Sequence, residues 1–152
     1  MTGAVRVAKP GASPRWAAAV IDVVVVVAFV AIGRASHHHA ESVGGFLGTF
    51  WPFAAGLVAG WVVLGRVSAG GPAAGRPAAG RLDGPRWAPE TLRAGVAITV
   101  VTVAVGMVLR VIAGQGTAVP FVAVSLGFIG AFVLAGRGFL AAVARRRLAP
   151  HG

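Results

Sequence analysis

Apolar residues fall in four long blocks, and most of the chain's charges lie between them. The first covers 16–33 and is broken only by Asp22, while the second, 42–65, carries no charge. The third, 94–109, holds 16 uncharged residues between Arg93 and Arg110, and the fourth, 111–136, holds 26. A helix crossing a hydrocarbon layer of about 30 Å needs about 20 apolar residues at 1.5 Å each. Each block is therefore read as a transmembrane helix, with the arginines that flank the third snorkelling to the interface. The valine run 23–27 would suggest a strand in water, but a lone strand in lipid leaves its backbone groups unpaired. The expected fold is all-α, an integral membrane four-helix bundle. Its helices are placed at about 16–34, 45–66, 91–111 and 118–138 in one domain, 16–138.

Composition supports this reading. Of 152 residues, 57% are hydrophobic and only 12% charged, yet the net charge is +10. A small soluble domain lacks the interior to hide so much apolar surface. Disorder and a soluble nucleic-acid-binding module are both poor fits. With no cysteine, thiolate metal sites, thiol nucleophiles and disulfides are excluded.

The basic residues suggest an orientation. Arg6, Lys9 and Arg15 precede span one. Arg66, Arg76, Arg81, Arg86 and Arg93 separate spans two and three, and Arg137, Arg145, Arg146 and Arg147 follow span four. The two remaining connections hold only Arg34 and Arg110. Both termini are therefore expected in the cytoplasm and the protein in the plasma membrane. A tail, 1–15, leads in, and a basic tail, 139–152, leads out toward anionic lipid. Asp22 and the three later spans argue against a cleaved signal peptide. Residues 67–90, with Pro72, Pro77, Pro85 and Pro89, read as a flexible cytoplasmic linker.

The halves resemble one another. Pro14-Arg15-Trp16-Ala17 recurs as Pro85-Arg86-Trp87-Ala88 and Gly65-Arg66 as Gly136-Arg137, both 71 positions on. At that offset Gly56 meets Gly127 and Gly60 meets Ala131, small residues that let helices approach closely. Gly48-Thr49-x-x-Pro52-Phe53 matches Gly116-Thr117-x-x-Pro120-Phe121 with a three-residue displacement. These matches suggest two similar helical hairpins. Thr49 and Thr117 are then expected to open spans two and four as caps, with proline in the first turn. A longer span two, starting near Ser42 and kinked at Pro52, is the alternative.

Several of these residues form a familiar ordered set. Asp22, Gly33-Arg34 with Ser36-His37, Trp51-Pro52-Phe53, Arg110, and Gly114 to Phe121 resemble one family of small membrane proteins. It is the family catalogued as domain of unknown function 3054. The resemblance spans about residues 20–138 and implies a four-span bacterial or archaeal membrane protein. It implies no activity.

Candidate chemistry is sparse. Gly95, Thr99, Thr102, Gly106 and Arg110 share one face of span three, either as a close-packing stripe or as a polar lining leading to Arg110. Arg34 and Arg110 end the two outward-going helices. The N-terminal ends of spans two and four face the same outer side, each carrying about half a positive charge. Arg34, Arg110, Thr49 and Thr117 thus make a hypothetical outer-face anion site, with snorkelling to headgroups as the plainer account. Asp22 lies about 9 Å beyond Trp16 along the helix, where a carboxylate costs about 2.5–3.5 kcal/mol. The 71-residue offset carries it onto Arg93, so an intramembrane Asp22–Arg93 pair is expected. His37, His38 and His39 beside Glu41 read as a solvated loop, and no metal or other cofactor is expected.

Enzyme signatures are missing, so no catalytic residue is assigned. The expected partners are the lipid bilayer and either a second copy or another membrane protein, with no nucleic acid. Two functions stay open. One is a non-enzymatic interaction or accessory membrane module. The other is a minimal oligomeric transporter or channel for a small solute, anions being the candidates.

Overall fold

In a computed structural model, residues 15–36, 42–70 and 91–148 are described. The histidine run 37–39 with Glu41, the linker from 71 to 90, and the Pro85-Arg86-Trp87-Ala88 copy lie outside them. Four helices and no strand make up the described chain: α1 (Arg15–Ala35), α2 (Val43–Gly70), α3 (Leu92–Ile112) and α4 (Val119–Leu148). All four are long and apolar enough to cross a membrane. At 21 residues, α1 and α3 each run about 31 Å.

Helix ends depart from the sequence reading in two places. Ser42 opens α2, its Oγ accepting from the Gly45 amide at 3.1 Å and its carbonyl from Phe46 at 3.0 Å. Thr49 therefore sits inside α2, where its hydroxyl donates back to the Gly45 carbonyl at 3.1 Å. The longer second helix with Pro52 in its interior is the one that forms. Nor does Thr117 cap α4: the Ala118 carbonyl accepts the first amides, from Phe121 and Val122. Pro120 falls in the first turn of α4, where a missing N–H leaves no helix bond unmade. The connection between α3 and α4 turns on Gly114 and Gly116, both with φ near +70° (68° and 69°), a conformation that disfavours a Cβ. Thr91 caps α3 by accepting from the Ala94 amide at 3.2 Å.

Each helix packs on its neighbours in sequence, and α4 returns to α1, so α1 faces α3 only across a diagonal. Contacts run antiparallel throughout. Asp22 meets Trp61 and Arg34 meets Thr49 between α1 and α2, and Asp22 meets Arg137 between α1 and α4. The α2–α3 seam is the closest. A Cβ on Gly56 would collide with the Thr102 carbonyl, and one on Gly60 would lie 3.3 Å from the Ile98 carbonyl. Gly106 receives the Phe53 ring, whose Cδ1 stands 3.0 Å from where a Cβ would be. Small residues thus bring these backbones together, as apolar helices in lipid require.

The copy on α4 does not do the same. Gly127 and Ala131 are exposed, and nothing lies within 4 Å of a Cβ built on Gly127. Packing on α4 uses other residues: Gly130 against Thr99, and Gly136 against Ile21. Above the bundle's middle, Phe29 stacks edge-on to Phe53 at 5.3 Å and lies 5.9 Å from Phe121 and 5.7 Å from Phe128. These rings, with Val26, Val30, Ile98, Val103, Ile129 and Val133, form the core. Gly56→Val should lower thermal unfolding stability in detergent by about 1–3 kcal/mol, and Gly127→Val should leave it nearly unchanged.

Candidate functional site

The most expensive residue in the apolar blocks finds its partner on the last helix. Asp22 and Arg137 are both fully buried, with side-chain exposures of 0%. The guanidinium grips the carboxylate as a fork: Nη1 donates to Oδ1 at 2.6 Å and Nη2 to Oδ2 at 2.8 Å. Trp61 adds a third donor from α2, Nε1 to Oδ2 at 3.2 Å, and Arg137 Nη1 also reaches the Ala18 carbonyl at 3.4 Å. Planar, bidentate geometry is what makes arginine the stronger partner for a carboxylate. Room for so large a side chain comes from glycine. The Arg137 Cγ lies 3.3 Å from the Cβ position of Gly95, and Gly136 lets α4 close on Ile21.

This corrects the expected Asp22–Arg93 pair. Arg93 is exposed near the start of α3, and α3 is the helix that α1 does not touch. Residues related by a two-fold axis along the bundle stand on opposite sides of it, so an offset between halves finds equivalents and not partners. Hydropathy places Arg137 among the charges that follow span four. Yet the apolar run resumes as Gly138-Phe139-Leu140-Ala141-Ala142-Val143, and α4 continues to Leu148. A lone arginine with apolar sequence on both sides was the available signal, the counterpart of the lone Asp22. Trp61 carried no such signal.

A second polar group ties the opposite end. Pro52 has no amide hydrogen, so the carbonyl one turn back, at Gly48, loses its helix partner. Gln115, in the α3–α4 connection, fills the gap: its Nε2 donates to the Gly48 oxygen at 2.8 Å. Its Oε1 accepts from Arg110 Nη1 at 2.9 Å, and its carbonyl from Nη2 at 3.4 Å. The Arg110 guanidinium also lies 4.7 Å above the Phe121 ring, a cation–π arrangement. On the neighbouring face of the same α2 turn, Arg34 Nη1 donates to Thr49 Oγ1 at 3.3 Å and its guanidinium lies over Gly45. Of the four anion-site candidates, the structure joins Arg34 to Thr49 and seats Arg110 on Gln115. Arg34 holds α2 directly, and Arg110 holds it only through Gln115.

Between these ends, the face of α3 read from sequence is buried: Gly95, Thr99, Thr102 and Gly106 all point into the bundle. Four buried polar atoms among the described residues lack a hydrogen-bond partner: Thr99 Oγ1, Thr102 Oγ1, Arg110 Nε and Arg137 Nε. Ser125, also buried, donates to the Phe121 carbonyl at 2.7 Å.

Residues 19–140 match the model of the family described as Protein of unknown function (DUF3054), and the chain belongs to that family. No curated protein and no solved structure matches it.

Two outcomes follow from this geometry. Removing either member of the buried pair, by Asp22→Ala or Arg137→Ala, should cost about 3–5 kcal/mol of stability, because the other charge is left alone. The exchange Asp22→Arg with Arg137→Asp should recover much of that loss, and the exchange of Asp22 with Arg93 should recover none. Gln115→Ala should cost about 1 kcal/mol by freeing the Gly48 carbonyl. In a Pro52→Ala background the restored amide satisfies that carbonyl, so a double-mutant cycle should show the cost shrinking.

Proposed function

From membership in a family without an assigned activity, we propose that this multi-pass membrane protein is a non-enzymatic accessory or interaction module. It works through its outer faces, in the plasma membrane, with both termini in the cytoplasm. One observation carries the reading: both Asp22 carboxylate oxygens are taken up by the two terminal nitrogens of Arg137. Asp22 and Arg137 form a closed, bidentate pair, and the core beyond it is filled by Phe29, Phe53 and Phe121. A conduit needs polar groups free to exchange partners with a passing solute, as intramembrane charges in transporters do. The orientation is supported by the placement of every Lys and Arg except Arg34, Arg110 and the buried Arg137. Repeated motifs support an origin in two similar hairpins, although Gly127 makes no close contact like that of Gly56. The exposed apolar faces suit either a second copy or another membrane protein.

The buried but unpartnered Thr99 and Thr102 hydroxyls and Arg110 Nε favour a second reading, an oligomeric transporter or channel for a small anion. Purified protein in liposomes decides between the two. The module predicts chloride, nitrate and phosphate fluxes equal to those of protein-free vesicles. A flux above that baseline that disappears in Arg110→Ala would overturn it.

A further inference from the structure

A shallow groove of about 340 Å³ runs along the outside of the α1–α2 seam, lined by Ala19, Val23, Leu57, Val58, Trp61 and Val62. Its walls are two stripes at steps of four residues. On α1 the stripe Ala19, Val23 begins one turn earlier at Arg15, and on α2 the stripe Val58, Val62 ends one turn later at Arg66. Residues four apart lie on one helix face, so each apolar wall terminates in an arginine. Both arginines are exposed. The antiparallel register fixes their level. Asp22 stands opposite Trp61 and Arg34 opposite Thr49, which sets Arg15 opposite Ser68. Arg66, two residues from Ser68, is then within about 3 Å of Arg15 along the axis.

We propose that this groove is a binding site for an anionic phospholipid. One acyl chain lies against Ala19, Leu57 and Trp61, and the phosphate sits between Arg15 and Arg66. Basic sites at the ends of transmembrane helices recognise anionic headgroups in this way, and a guanidinium offers paired donors to phosphate oxygens. The same end of the bundle carries the exposed Arg93, Arg145 and Arg146, which matches the more anionic leaflet. A second copy is the poorer occupant, because a two-fold contact through this face would bring four arginines to one level. The site does not depend on whether the bundle works as an accessory module or as a transporter.

Trp61 in the groove supplies the test. With Trp16, Trp51 and Trp87 replaced by Phe, the full chain is reconstituted in phosphatidylcholine vesicles. Phosphatidylglycerol or phosphatidylcholine with brominated acyl chains is then titrated in, and quenching of Trp61 is followed. Brominated phosphatidylglycerol should bind about 30-fold more tightly, the preference expected of two arginines near an anionic headgroup. Arg15→Ala with Arg66→Ala should abolish that preference, and Arg145→Ala with Arg146→Ala should retain it. Ala19→Phe, which fills the groove, should suppress quenching by either lipid. Equal quenching by both lipids, or a preference that survives the Arg15–Arg66 double substitution, would mean ordinary boundary lipid and overturn the proposal. Relief of the quenching by millimolar inorganic phosphate would assign the arginines to a free anion and overturn it too. So would quenching that rises as the protein is diluted in the membrane, since a second copy would then cover Trp61.

Discussion

Hydrocarbon solvates neither a carboxylate nor a guanidinium, so a chain that places one of each in its spans must bring them together or leave both charges exposed to lipid. Asp22 on the first helix and Arg137 on the last meet that demand in one contact. Much of the bundle's plan is arranged around it. Closing α4 onto α1 requires Gly136 beside Ile21, and seating the arginine's stem requires Gly95 on α3. Trp61 reaches in from α2 to the carboxylate's second oxygen. All four helices thus contribute to one electrostatic contact, and the small residues around it are where its space requirement is met.

The opposite end solves a different problem. Pro52 removes one backbone donor from the interior of α2, leaving the Gly48 carbonyl without its helix partner. The carboxamide of Gln115 replaces that donor from another segment, and Arg110 holds the carboxamide in place. The proline and its compensation lie 63 positions apart along the chain.

Helix number, class and the span containing Asp22 were legible in the sequence because lipid makes apolar length a direct measure of a crossing. The partner of Asp22 was not. Hydropathy counts Arg137 as the end of a block, whereas the structure takes it into the interior because an opposite charge waits there at the same depth. Repeated motifs misled at the same point. Thr49-x-x-Pro52 lies inside one helix and Thr117-x-x-Pro120 begins another, and Gly56 is clamped where Gly127 is bare. Similar sequence in two halves constrains local conformation, but neighbours decide what each side chain touches. The face Gly95, Thr99, Thr102, Gly106 was readable because helical spacing alone defines it.

The ion pair also orders events during synthesis. Its members are separated by 115 residues, so at usual translation rates Asp22 is made about ten seconds before Arg137. Throughout that interval α1 carries an acid with no base. Burying that carboxylate in hydrocarbon stays costly until the fourth helix arrives. A chain broken off before Arg137 never escapes that state. The contact therefore falls late in assembly: the first helix gains its neutralising partner only once Arg137 of the last has been made.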